Sequence, residues 1–221
     1  MTTNPQYHDD DIYVQTYAPP LFTPTGDVIP RKEAWEKGLW YSTANLWVVQ
    51  SSPEPSIVYQ QRSPNIGWAP GKLDVLIAGH CEHLQTPLQT IAQESKEEFN
   101  VTYDESKFIH LGRKLAVGVG MDGTVRNSVV NLFLIEDGLS INRFLLQKKE
   151  VFAVCSCPLS KLLKVHTDPT FTYKQKAIRH DGQEIELEVN QNIFPENWDP
   201  YHYKMALLID RYFQGERNLI Y

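Results

Sequence analysis

Glu94, Glu97 and Glu98 lie within the run Ala92-Gln93-Glu94-Ser95-Lys96-Glu97-Glu98-Phe99. At about 100° per residue on a helix they fall in a sector roughly 100° wide, so three carboxylates can converge on one ion. Carboxylate oxygens suit the hard cations Mg²⁺ and Mn²⁺, which usually bridge to substrate phosphates instead of sitting in an all-protein cage. The trio therefore points to phosphate chemistry. Its competing reading is bland: Glu-x-x-Glu-Glu on an amphipathic helix is most often only a solvated face.

The helix that must carry the trio has a clear beginning. Thr86 is a capping residue, Pro87 suits the first helical position, and Gln89 stands where a capping box needs it. Leu88, Ile91, Ala92, Ser95 and Phe99 then recur at helical spacing as an apolar or small face. Upstream, Pro70-Gly71-Lys72-Leu73-Asp74-Val75-Leu76-Ile77-Ala78-Gly79-His80 reads as a loop, a short buried strand at Val75 to Ala78 and a glycine turn. A strand, turn and helix in that order frame a metal and phosphate site.

Other elements follow from pattern. Arg31 to Gly38 suits one or two helical turns, opened by Pro30 and stopped by Gly38. Leu46 to Gln50 and Ile57 to Arg62 read as a hairpin across Ser51 to Pro55, with a loop over Ser63 to Gly71. Strands are expected at Lys114 to Val119, Ser128 to Ile135, Val151 to Cys157 and Glu184 to Val189. Asp199 is placed as the N-cap of a closing helix with Pro200 at its first position, and Met205, Leu208, Ile209 and Tyr212 form its apolar stripe. The total is a mixed α/β domain. Residues 1 to 20, rich in polar residues, Tyr and Pro, are expected as an extended or poorly ordered arm before a single domain over 21 to 221.

With 221 residues, 42% apolar, the chain is long enough to bury a core as one domain. A formal charge of −6 argues against a general nucleic-acid or membrane-surface binder. It also means that an anionic substrate needs a metal or a few local Lys and Arg residues. No signal peptide or membrane span is read. The odd number of cysteines, Cys81, Cys155 and Cys157, suits reduced thiols in a cytoplasm. A soluble cytoplasmic protein is expected, with a homodimer as a common arrangement.

With the spacing intact, Gly79, Gln85, Gln93, Glu94, Ser95, Glu97, Glu98, Asn100 and Val101 resemble the box of the Nudix hydrolase superfamily. That box is Gly, five residues, Glu, seven residues, Arg-Glu, an apolar residue, any residue, Glu-Glu, any residue, Gly, then an apolar residue. The three core glutamates match. Gln85 replaces the first Glu, Gln93 the Arg, Ser95 the apolar residue and Asn100 the Gly. Asn tolerates the left-handed backbone that Gly supplies at a helix end. Gln93 matters more, because the family's Arg forms an ion pair that orients the glutamates and an amide offers weaker hydrogen bonds. Val58-Tyr59-Gln60-Gln61-Arg62-Ser63 resembles the family's strand before the box, and Lys149-Glu150-Val151 its downstream acidic step. The resemblance covers about residues 26 to 160, and the distal part looks like the C-terminal extension of larger members.

The resemblance implies a Nudix-type α/β/α sandwich around a mixed sheet. It further implies hydrolysis of a diphosphate bond, in a nucleoside diphosphate derivative or related small molecule, by metal-activated water. Carried over residue by residue, Glu94, Glu97 and Glu98 become ligands of Mg²⁺ or Mn²⁺, the Gly79 carbonyl a further ligand, and Glu150 a candidate base. Arg62 and Lys72 are candidate diphosphate contacts. His80 is either a substrate or metal contact or a satisfied turn histidine. Because Gln85 and Gln93 are both neutral, the alternative is a Nudix-fold sensor or interaction module with little or no turnover.

Isopentenyl diphosphate isomerase shares the fold and the Gly-His step, but its catalytic Cys precedes the His by two residues, where this chain has Ala78. A shorter match, at Pro70 to Asp74 and Ala78-Gly79, resembles Nudix domains associated with thiamine diphosphate kinases. His80-Cys81-Glu82-His83 is too crowded for one tetrahedral zinc. Cys155 and Cys157 read as small side chains on one side of a strand, and Trp198, Tyr201 and Tyr203 more often pack than stack on a ligand.

Overall fold

The computed structural model describes residues 12–120, 123–195 and 198–221. Its strands are β1 (Tyr13–Ala18), β2 (Thr23–Pro30), β3 (Trp40–Gln50), β4 (Ser56–Arg62), β5 (Leu73–Val75), β6 (Ile77–His80), β7 (Ile109–Val119), β8 (Val125–Glu136), β9 (Val151–Pro158), β10 (Tyr173–Arg179) and β11 (Glu184–Val189). The helices are α1 (Arg31–Glu36), α2 (Pro87–Phe99), α3 (Leu159–Thr167) and α4 (Tyr201–Phe213).

Alternation along β3 explains the layering. Trp47 and Val49 face one core, where Ile57 and Tyr59 of β4 meet Leu162 of α3 and Met205 and Ile209 of α4. Leu46 and Val48 face the other, with Val58, Ile77 and the α2 residues Ile91 and Phe99. A strand with both faces covered reads as a nearly continuous apolar run, as Leu46 to Val49 does. The result is the α/β/α sandwich expected. The sheet is mixed because β3 runs parallel to β8, from Trp40 opposite Asn127 to Val49 opposite Glu136. It runs antiparallel to β1, β4 and β6.

The apolar run before the box divides between two strands. Leu73–Val75 pairs with β4, and Ile77–His80 crosses to β3. Between them the buried Gln60 side chain donates to the carbonyls of Val75 and Leu76, at 3.2 and 3.1 Å, so the break leaves these acceptors satisfied. This crossing delivers Gly79 to the open end of the β3–β4 pair and starts the path to α2.

The β3–β4 hairpin, α1 and the strands expected at β7, β8 and β9 are present with shifted ends, and β11 spans Glu184–Val189 as expected. Three features differ. Tyr13–Ala18 pairs with β2 and β3, within the stretch expected as an arm; residues 1–11 lie outside the described residues. β10 and α3 complete the sheet and the second helical layer. Asp199 makes no cap for α4, whose preceding residue is Pro200 and which has no side-chain cap bond. The Asp199 carboxylate instead meets Lys114, Lys204 and the Tyr221 hydroxyl. No helix among the described residues is long and apolar enough to cross a membrane.

Candidate functional site

α2 is built as its residues require. The Thr86 hydroxyl accepts from the Gln89 N–H at 3.2 Å, and the Gln89 side chain accepts from the Thr86 N–H at 2.8 Å. Such a cap contributes about 1 kcal/mol. At the other end Asn100 takes φ 54° and ψ 41°, the left-handed conformation for which Asn was expected to serve. Ser95, at the box's apolar position, is buried and returns its hydroxyl to the Ile91 carbonyl at 2.6 Å, so no polar group is stranded there.

The helix brings Glu98 under the fold and leaves Glu97 exposed, with Glu94 between these extremes. Gly79 makes the Glu94 position possible. A Cβ at residue 79 would stand 2.5 Å from Glu94 Cγ and 2.8 Å from Cδ, so any side chain there displaces the carboxyl group. Glu150 arrives from a different element. Its segment is tied to the end of α2 by the Gln147 N–H on the Glu98 carbonyl at 2.8 Å and the Leu145 N–H on the Phe99 carbonyl at 3.1 Å. The Glu150 carbonyl in turn accepts from the Ser63 N–H at 2.8 Å, fixing it beside the end of β4.

These carboxylates act on one another through their charges. Burial, followed by the charges of Glu150 and Glu97, pushes Glu94 up to about 8. Burial, followed by the charges of Glu94 and Glu150, pushes Glu98 well above the usual carboxylate range. Glu98 is 5% exposed, and its Oε2 has no hydrogen-bond partner. Buried carboxylates that repel one another and leave an acceptor unmatched have the chemistry a hard cation neutralises. On donor chemistry and on this orphaned oxygen, Mg²⁺ or Mn²⁺ fits the site. Among the described residues, no group of three or more His, Cys, Asp or Glu side chains is already arranged to hold a metal ion.

Positive charge stands beside the carboxylates. Arg62 lowers the Glu98 pKa, opposing the larger effect of burial. Its Nε donates to the Trp68 carbonyl at 3.1 Å, its guanidinium lies 5.2 Å from the centre of the Trp68 ring, and Asp74 is 3.6 Å from Nη1. Arg31 does the same for Glu94. Arg31 and Arg126 lie over the Trp35 ring at 5.0 and 4.2 Å. The sequence offers no signal for either, because both lie far from the box along the chain.

His80 and Lys72 are each engaged by other groups. The His80 ring stacks on Tyr41 at 5.6 Å, and burial, followed by the charges of Arg31, Arg126 and Arg62, lowers its pKa well below the usual histidine value. It is a packed ring whose surroundings disfavour the charged form. Lys72 Nζ is held at 2.5 Å by the Asn192 carbonyl. Cys81 is buried and accepts from the Ser42 hydroxyl at 3.4 Å, while His83 is exposed. Tyr201 is core, its hydroxyl accepting from Asn45 and Trp47. A cavity of about 500 Å³ opens beside Trp35, Lys37, Gly38 and Val125, but none of the four carboxylates lines it.

No family model matches the chain. It is 24% identical over 192 residues to an uncharacterized Nudix hydrolase of Clostridium acetobutylicum, a match covering 82% of this chain and 90% of that protein. It is 28% identical over 137 residues to Nudix hydrolase 3 of Arabidopsis thaliana, covering 61% of this chain but only 18% of that longer protein. The crystal structure of DR0079 from Deinococcus radiodurans superposes with a TM-score of 0.53 at 17% identity, over 70% of this chain and 88% of that one. This last likeness is one of fold.

Proposed function

The chain belongs to the Nudix superfamily, and on that premise we propose that it is a hydrolase of diphosphate bonds, dependent on Mg²⁺ or Mn²⁺. What supports this reading is the packing of Glu94 over Gly79, the mutual charge repulsion among Glu94, Glu98 and Glu150, and a Glu98 Oε2 that is buried and unmatched. The substrate class is a nucleoside diphosphate derivative or a related small molecule. Three buried, free thiols favour a cytoplasmic setting.

Glu94, Glu97 and Glu98, with the Gly79 carbonyl, would hold the cation. When bound it neutralises phosphate charge and lowers the pKa of a coordinated water. The chain's own groups do the rest. Glu150, exposed beside Glu98, accepts a proton as water attacks phosphorus. The bond from that phosphorus to the bridging oxygen then breaks, and the oxygen leaves with the second phosphate. Arg62, steadied by Trp68 and Asp74, pairs with the diphosphate oxygens. Lys72 reaches the substrate only by leaving the Asn192 carbonyl.

A second reading, a ligand sensor with little turnover, is favoured by one observation: the box carries a neutral Gln85–Gln93 contact where an ion pair is usual. A panel of diphosphate compounds incubated with and without Mn²⁺ separates the two. The hydrolase releases phosphate or a nucleoside monophosphate from at least one of them, and only with the cation. Ligand binding without release from any of them favours the sensor.

A further inference from the structure

Gln85 and Gln93 look in the sequence like two separate losses of charge, yet their side chains are in contact. The Gln85 Oε1 accepts from the Glu82 N–H at 3.3 Å and from the Thr90 hydroxyl at 3.2 Å. A backbone N–H can only donate, so this end of the amide must be its oxygen. The NH₂ end therefore faces away, and Gln85 Nε2 donates to Gln93 Oε1 at 2.7 Å. That choice fixes the second amide in turn: Gln93 Nε2 donates to Glu97 Oε1 at 3.0 Å. The relay has one direction, set by a main-chain donor, and it ends on a carboxylate.

We propose that Gln85 and Gln93 act as one charge-neutral positioning pair, which aims an N–H at Glu97 and holds that carboxylate ready for the cation. The proposal rests on the functional reading above and adds to it which residues orient the exposed ligand. Without the relay, Glu97 is a surface side chain free to sample many rotamers. With it, one oxygen is occupied by a donor and the other is left for the metal. A neutral donor also introduces no second positive charge to compete with the ion.

Direction makes the pair exchangeable only as a unit. Gln85→Glu alone sets a carboxylate oxygen against Gln93 Oε1; Gln93 then turns over and presents its own oxygen to Glu97. Gln93→Arg alone sets a guanidinium against the Gln85 NH₂. Gln85→Glu with Gln93→Arg restores an acceptor facing a donor at each step. Mn²⁺ affinity of the full chain, read from the electron paramagnetic resonance of free Mn²⁺, tests this without reference to turnover. Each single variant is expected to bind roughly tenfold more weakly, the lower end of what loss of an orienting partner costs a metal ligand. The double variant should return to within about threefold of the parent. Simple through-space charge predicts instead that Gln85→Glu binds more tightly and Gln93→Arg more weakly. Opposite signs of that kind, additive losses, or unchanged affinities overturn the relay while leaving the functional reading in place. A parent chain that takes up no Mn²⁺ overturns both.

Discussion

Glu98→Gln is expected to lower diphosphate turnover by more than about a hundredfold, with no loss of thermal stability. Replacing a partner that only orients a metal ligand typically costs about 10–100-fold, and Glu98 is proposed as a ligand itself, so its effect should lie beyond that range. The stability half follows from the site's own electrostatics. Glu98 is almost wholly buried, its charged form is opposed by burial and then by Glu94 and Glu150, and its Oε2 has no hydrogen-bond partner. Glutamine keeps the shape and removes that conflict. Residues kept for function at the expense of stability behave in this way. Initial rates with saturating Mn²⁺ and a metal-free thermal melt check the two halves together. Full turnover in the variant removes Glu98 from the ligand set. A sharply lowered melting temperature makes it a structural group.

Asp199→Ala is expected to destabilise the fold by about 3–5 kcal/mol, the cost typical of leaving one member of a buried ion pair alone. Lys114 is 6% exposed, its ammonium 3.3 Å from Asp199 Oδ2 and 3.5 Å from the centre of the Tyr201 ring. Burial pulls its pKa down, against the pull of Asp199. Burial also works against the Asp199 carboxylate, but contacts with Lys204, Tyr221 and Lys114 outweigh it and hold its pKa below the usual range. Lys204 Nζ stands 2.7 Å from Oδ1, and the Tyr221 hydroxyl donates to Oδ2 at 2.6 Å. One carboxylate thus joins β7, α4 and the chain's last residue. Removing it strands a cation, whereas Lys114→Met combined with Asp199→Asn removes both charges and should cost much less. Urea unfolding of both variants measures the difference. A loss below about 1 kcal/mol in Asp199→Ala shows that Lys114 does not depend on this carboxylate and overturns the charge-balance account.

Asp199 also marks where sequence reading stops. A carboxylate before a proline and an apolar helical stripe is a sound cap signal, and α4 begins one residue after Pro200. What overrides the signal is Lys114, 85 positions earlier, buried with its ammonium 3.3 Å from this carboxylate. Long-range partners of this kind have no local signature. β10 has no local signature for a related reason: its Lys174 and Lys176 pair across the sheet with Glu186 and Glu184, so its exposed face looks like solvated chain. α3 opens at Leu159 without a side-chain cap. By contrast α2 was legible because the Thr86–Gln89 box, Pro87 and Asn100 are all local and all agree with its apolar face.

The candidate site divides in the same way. The α2 glutamates and Gly79 belong to one strand, turn and helix, and could be aligned by counting. Arg31, Arg126 and the Gln85–Gln93 contact depend on how α1, β8 and the loop before α2 fold back, which spacing alone does not give. Lys72 shows the converse. It is close to the box in sequence, yet its side chain is engaged by Asn192.

Anomalous diffraction from crystals of the chain soaked in Mn²⁺ tests the central claim most directly. The account predicts a peak between the carboxylates of Glu94, Glu97 and Glu98 beside the Gly79 carbonyl, abolished in Glu98→Gln. The same three carboxylates pointing into solvent, with no anomalous peak among them at millimolar Mn²⁺, would contradict it.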